Sequence, residues 1–242
     1  MELSRPTSCV AGAHGARGAE HDGLADALRE RTRLLHVRAE RSGVIRDIMR
    51  GQATRYGYAL LLRNLLPAYE QMERGLDRHR HAPAVGAVAR REVYRARAIA
   101  DDLAALCGRE WSRSLPLLAA GKRYANRTAE AANGDGARLI AHAYARYLGD
   151  LSGGRILRRL LARSLALEPS ALSFYDFPGI ADTEAFKADY RAALDRAAVA
   201  MIDVACVVEE AAVAFRLNIA VSEAVEAAAR CEEATRAGAP PG

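Results

Sequence analysis

Residues 142–157 read HAYARYLGDLSGGRIL. The stretch is otherwise a strong helix former, yet Gly149, Gly153 and Gly154 interrupt it. Each glycine costs roughly 1 kcal/mol relative to alanine in a helix interior. Gly149 and Gly153 lie one turn apart and so share a face, where the backbone is open to close approach. Two uses fit such a strip. Another helix can pack tightly against small residues, or a flat ligand can lie directly on the backbone. Arg146 and Asp150 stand at i and i+4, so they can pair, and Asp150 borders the same gap as Gly153.

The helix that carries this stretch is predicted to open at Asp135 or Gly136 and to run to about Leu165. The Asn-Gly-Asp-Gly turn at 133–136 separates it from a helix predicted from Leu115-Pro116 to about Ala132. Upstream, a helix is expected from Leu24 to Glu40, broken at Ser42-Gly43. A short one reaches Met49 and stops at Gly51. A third is capped by Thr54 and runs to about Arg78, with Pro67 as an expected kink. A fourth spans Ala84 to Cys107. Downstream, FYDFP at 174–178 is an aromatic loop, Thr183 caps a helix to Arg196, and a last helix runs from about Ala198 to Ala234. No strand-like alternation persists, and there is neither an internal repeat nor a long linker. The expectation is one all-α domain over 23–235, between disordered tails at 1–22 and 236–242.

Composition agrees. The 242 residues are enough for one sizeable core. Half are apolar and 27% are charged, which excludes a disordered chain. Aromatics reach only 6%, while alanine and leucine abound, which favours helices over a β-sandwich. No apolar run approaches the length of a membrane span, and the first 22 residues lack the apolar core of a secretory signal. The expected compartment is therefore the cytoplasm. The net charge of +5 comes from 35 cations against 30 anions spread along the whole chain. No basic block is interleaved with aromatics, so nucleic acid is not an expected partner. A modest basic face suits an acidic protein or an anionic small molecule equally well. Cys9, Cys107, Cys206 and Cys231 are far apart, which excludes a zinc site of the usual spacing. They read as reduced thiols, some of them buried.

The first long helix carries the second unusual pattern. Arg29, Arg33, His36 and Glu40 follow at steps of 4, 3 and 4, which keeps all four on one stripe. An imidazole beside guanidiniums suits an anionic, metal-bearing ligand. A solvated, salt-bridged helix face has the same spacing.

These residues together match a family. AHAYARYLGDLSGGRIL, ending at Leu157, resembles the distal-helix signature of heme oxygenases, and LRERTRLLHVRAE at 28–40 resembles their proximal-helix motif. The likeness continues through 51–73, 172–191 and 214–221, in the correct order. One LSGG is a weak signal; five ordered blocks with the histidine helix are a strong one. The resemblance implies a multihelical fold that clamps heme b between a proximal helix and a kinked distal helix.

It also implies roles. His36 resembles the proximal iron ligand, and Glu40 the acidic neighbour that orients it. Gly149 and Gly153 resemble the glycines whose backbone lies over the iron, with Gly154 helping the kink. Arg29 and Arg33, and then Lys187 and Arg191 as the main pair, resemble the cations near the heme propionates. Tyr144 and Phe215 match aromatic positions near the heme. Asp150, Arg146 and Tyr69 match a polar network that holds water, with Asp150 as the catalytic group. At Val221-Ser222 the family often has an aromatic, which implies a more open pocket wall here.

The implied activity is cleavage of heme, as cofactor and substrate, by O2 to biliverdin, CO and ferrous iron. The α isomer, electrons from a reductase or ferredoxin, and a monomeric protein complete the expectation. A heme-sequestering protein of the same fold without turnover is the alternative.

Overall fold

Tyr58, Leu60, Leu61, Leu62, Leu65, Tyr69 and Met72 are all buried, which leaves their helix only a narrow solvent stripe through Glu70 and Arg74. In the computed structural model, which describes residues 23–238, this is α3 (Arg55–Arg78), and the fold is arranged around it. Thr54 caps it by accepting the Gly57 N–H at 3.1 Å, and the helix continues across Pro67. Helices α1 (Leu24–Glu40) and α2 (Gly43–Met49) precede it. After it come α4 (Ala96–Cys107), the short α5 (Trp111–Ser114) and α6 (Ala119–Ala131). Next, α7 (Leu139–Ala143) passes through a π-helical turn at Tyr144–Leu148 into α8 (Gly149–Leu165). The chain ends in α9 (Thr183–Ala198) and α10 (Val204–Gly238). Helices α4, α6, α7 and α10 pack on α3, and α10 also lies against α1, α2, α6 and α7. Among the described residues there is no strand, and no helix is long and apolar enough to cross a membrane.

The predicted helix over Ala84–Cys107 is shorter than expected. Residues 79–95 form turns, with a 3-10 turn at Arg91–Val93, and α4 starts only at Ala96. Its start is set from another element: the Glu73 carboxylate on α3 accepts the N–H groups of Arg95 at 2.5 Å and Ala96 at 3.0 Å. Likewise α6 begins at Ala119, after Leu115-Pro116, because Asn64 on α3 accepts the Leu118 N–H at 2.7 Å. Asp182 caps α9 in place of Thr183, accepting the N–H groups of Glu184 and Ala185. Asp203 accepts the Cys206 N–H, and α10 starts at Val204 and not at Ala198. It also runs past Ala234 to Gly238, into the segment expected to be a tail. The tails at 1–22 and 239–242 lie outside the described residues.

Two details of the α2–α10 joint bear on the cavity between α1 and α8. Gly43 has φ +56, and a Cβ there would stand 2.2 Å from the Ser222 carbonyl carbon. Only glycine lets α2 turn this tightly against α10. Ser222 is buried there, donating to Ser42 O at 2.9 Å and accepting from Ile45 N at 3.2 Å. Ser222 thus belongs to the joint between α2 and α10, and neither it nor Val221 lines the cavity. The three described cysteines, Cys107, Cys206 and Cys231, are free and exposed, so the expectation that some are buried fails for these three.

Candidate active site

α1 and α8 face each other across a cavity of about 280 Å³. The wall on α1 is His36, Ala39 and Glu40; the wall on α8 is Gly149, Asp150, Gly153 and Ile156. Leu61 and Leu65 of α3, Met49 of α2, the Phe174–Tyr175 pair, and Phe215 and Asn218 of α10 close the remaining sides.

Why α8 lacks side chains here is settled by what a Cβ would meet. At Gly149 and Gly153 there is no atom within 4 Å of an added Cβ. No protein group packs against this strip, so helix packing does not account for it. The two glycines leave space in the cavity. Gly154 is different: a Cβ there would stand 3.1 Å from the Tyr175 ring. Its role is packing, and the irregularity of the distal helix lies upstream in the π turn at Tyr144–Leu148. Such turns insert one residue and rotate the helix beyond it, which aims the bare strip at α1.

Opposite the strip, the His36 side chain is half exposed, with its ring 5.9 Å from that of Phe215. His36 Nδ1 lies 3.6 Å from Glu40 Oε1, a charge contact one turn along. Glu40 thus neighbours Nδ1, which makes Nε2 the ring nitrogen available to a metal.

Beside Gly149 is a buried polar network. Asp150 accepts from the Tyr69 hydroxyl and from Arg146 at 2.9 Å. Arg146 also donates to the Tyr69 hydroxyl at 2.7 Å and to Asn218 Oδ1 at 2.8 Å. Burial pushes the Asp150 carboxyl up, against the opposing pull of Arg146, Tyr69 and Arg95. Burial also raises the Tyr69 hydroxyl well above its ordinary value. Burial works against the Arg146 charge, but Asp150 and Tyr69 more than offset it and hold the guanidinium cationic. A carboxyl raised in this way, at the edge of a cavity, is suited to holding and passing a proton.

The structure therefore brings His36, Glu40, Arg146, Gly149, Asp150, Gly153 and Phe215 to one cavity, with Tyr69 directly behind it. The expected propionate cations do not line it. Arg29 lies 3.1 Å from Asp26, Arg33 lies 3.7 Å from Glu30, and the buried Lys187 lies 2.7 Å from Glu184. Arg191 and Arg29 act on the Tyr144 hydroxyl, and Tyr144 packs with Phe215 beside the cavity. Sequence reasoning missed Asn218, although it stands three residues after Phe215 on the same helix face. It also missed Arg95, whose charge reaches Asp150 from outside the family-like blocks.

This fold and site define an all-helical protein with a cavity that sets an imidazole opposite a bare helix backbone. Comparison with known proteins places it among them. The heme oxygenase family profile matches residues 22–224. Human heme oxygenase 1 is 35% identical over 206 residues, covering 84% of this chain and 72% of the human protein. Synechocystis heme oxygenase 1 is 32% identical over 203 residues, covering 84% and 85%. The crystal structure of Synechocystis heme oxygenase-1 in complex with heme superposes with a TM-score of 0.81 at 31% identity, covering 89% of this chain and 97% of that one. Heme oxygenase from Leptospira interrogans gives 0.78 at 36% identity, covering 83% and 98%. The chain belongs to the heme oxygenase family, enzymes that degrade heme to biliverdin.

Proposed function

We propose that heme lies in the cavity between α1 and α8, with His36 as its iron ligand, and is opened at its α-meso edge to biliverdin, CO and ferrous iron. The observation that carries this reading is the bare backbone of Gly149 and Gly153, with open space where two Cβ atoms would stand, facing the His36 helix. Heme supplies the iron at which O2 is activated and the carbon skeleton that is cleaved. The chain supplies everything else. His36 Nε2 would hold the iron, and Glu40 would orient the ring from beside Nδ1. The glycine strip keeps side chains out of the cavity opposite His36 and would confine O2 against backbone there. Asp150, held by Tyr69 and Arg146, delivers protons through water at that face. Asn218 fixes Arg146, and Phe215 forms a side wall.

Arg29 and Arg191 beside Tyr144, with Lys187 after exchange of its Glu184 contact, meet the propionates. Cations fixed on the propionates would hold the ring in a single orientation, and the α isomer depends on that orientation. Electrons come from a reductase or ferredoxin, for which the surplus of cations is suited. The enzyme works as a monomer, and in the cytoplasm; the three free, exposed cysteines among the described residues suit a reducing compartment. The same fold used only to sequester heme would have no need of the buried Asp150 network.

The test adds one equivalent of hemin, records the spectrum, then supplies reductant in air and identifies the bilin by chromatography. Five-coordinate imidazole ligation followed by α-biliverdin is expected. A Soret band that persists without bilin would leave the sequestering protein. Another isomer would overturn the ring orientation, and no uptake would overturn the site.

A further inference from the structure

Asp102 of α4 is a fully buried carboxylate that the chemistry proposed for the cavity does not use. Its Oδ1 accepts the Ser173 N–H at 2.8 Å and the Ser173 hydroxyl at 2.5 Å, and its Oδ2 accepts the Phe174 N–H at 2.9 Å. All three donors sit on two successive residues of the 3-10 turn at Ser173–Tyr175. A buried carboxylate is costly unless hydrogen bonds satisfy it, so these bonds tie the turn to α4 in one position. The residues just beyond are held by a different group. Arg95 donates to the Asp176 carbonyl, and its guanidinium lies 4.4 Å over the Phe177 ring.

The rings on this turn reach the site. Phe174 and Tyr175 both wall the cavity. The Tyr175 ring covers Gly154 and lies nearly parallel to that of Tyr58, 6.4 Å away. The Phe174 ring meets the Tyr69 ring edge to face, with centroids 5.7 Å apart and planes at 87°. Such a contact fixes how the partner ring is turned. A phenol hydroxyl points where its ring points, and the charged groups facing this one are Asp150 and Arg146. The line of contact therefore runs from Asp102 to the Phe174 N–H, the Phe174 ring, the Tyr69 ring and the Asp150 carboxylate.

We propose that Asp102 is a positioning residue for the reaction: by holding the 173–175 turn it sets Phe174 against Tyr69 and so aims the Tyr69 hydroxyl at Asp150. It touches neither heme nor reacting atoms. This role rests on the heme reading of the cavity, and the hold on the turn does not.

The experiment first adds hemin to the wild type and the variants and checks that ligation is the same. A wild type that takes up no hemin overturns the cavity reading and this role with it. The first readout is hydrogen exchange at the Phe174 amide of the heme-free protein, which Asp102→Asn should speed by about tenfold or more. The second is the pH midpoint of the spectral change of the ferric complex. Asp102→Asn and Phe174→Leu are each expected to move it by about 0.5 pH unit or more, in the same direction. The double variant should move it no further than the larger single shift, because both act through one ring contact. Asp203→Ala removes the cap at the start of α10 and no bond of this turn; it should lower the melting temperature and leave the midpoint in place. Unchanged exchange, an unmoved midpoint, additive shifts, or an equal shift in Asp203→Ala would overturn the proposal. Should Asp102→Asn fail to fold, Ser173→Ala takes its place, since it removes only the hydroxyl donor. A midpoint shifted in the direction of Phe174→Leu is then expected, and an unmoved one would overturn the proposal.

Discussion

A single Cβ separates the two kinds of glycine on α8. Gly149 borders empty space, so alanine there restores helix propensity with nothing to strike. Gly149→Ala is therefore expected to stabilise the heme-free protein by up to about 1 kcal/mol while weakening heme uptake. Thermal melts of the heme-free protein and a hemin titration read the two effects separately; a destabilised protein with normal uptake would contradict the assignment. Asp150 is bound by the opposite logic. Its carboxyl is held at the cavity edge at a cost in burial, and Asn in its place keeps the shape but not the exchangeable proton. Asp150→Asn should retain heme and lose about 10²-fold or more in biliverdin formation, measured in single turnovers. Normal turnover would remove Asp150 from the proton path. At this scale the sequence was informative where residues act within one helix. The Arg146–Asp150 pair, the glycine strip and the His36–Glu40 step all follow from spacing along a helix. Asn218 and Arg95 did not, because they reach the site from α10 and from the segment before α4, where no local pattern marks them.

Helix boundaries show the same division. The start of α3, the break at Gly43 and the stop at Gly51 depend on local chemistry, and they lie where turn and cap residues put them; the start of α1 is held by Asp195 of α9, which accepts the Ala25 N–H at 2.9 Å. The starts of α4 and α6 depend on Glu73 and Asn64, both side chains of α3, and neither can be read from the segment being capped. The π turn before Gly149 is equally hidden, since YARYL has no composition that distinguishes it from ordinary helix. Asn64 is fully buried and spans three backbone groups, accepting from Leu118 N and donating to Leu60 O and Pro116 O. Asn64→Ala strands these groups and should cost about 2 kcal/mol, or several degrees in Tm for a chain of this length. A melting temperature equal to wild type would show that α6 is anchored by other means.

Across the whole molecule, the buried Glu210 and the half-buried Glu73 set opposing pH dependences. Burial alone would raise Glu210, but hydrogen bonds from His142 and Arg127 outweigh it and hold the group at about 2, against an ordinary 4.5. Its contribution to stability is present above about 4.5 and is lost as pH falls towards 2. Burial raises Glu73 from 4.5 to about 7, only partly offset by the N–H groups of Ala96 and Arg95. The folded form then binds this proton more tightly than the unfolded chain, so stability falls as pH rises from about 4.5 to 7. Glu73→Gln keeps the acceptor for α4 and should flatten that fall. Melting temperatures of the heme-free protein across pH 4 to 8 read it directly, and an unchanged profile would assign the slope to other groups.

Cys107, Cys206 and Cys231 all stand at the surface, widely separated along the chain. In aerated buffer each can bridge to a neighbouring molecule, and these three alone are enough to build branched aggregates. The size of particle seen by light scattering will therefore depend on whether a thiol such as dithiothreitol is in the sample, and only the value taken in its presence describes the native assembly.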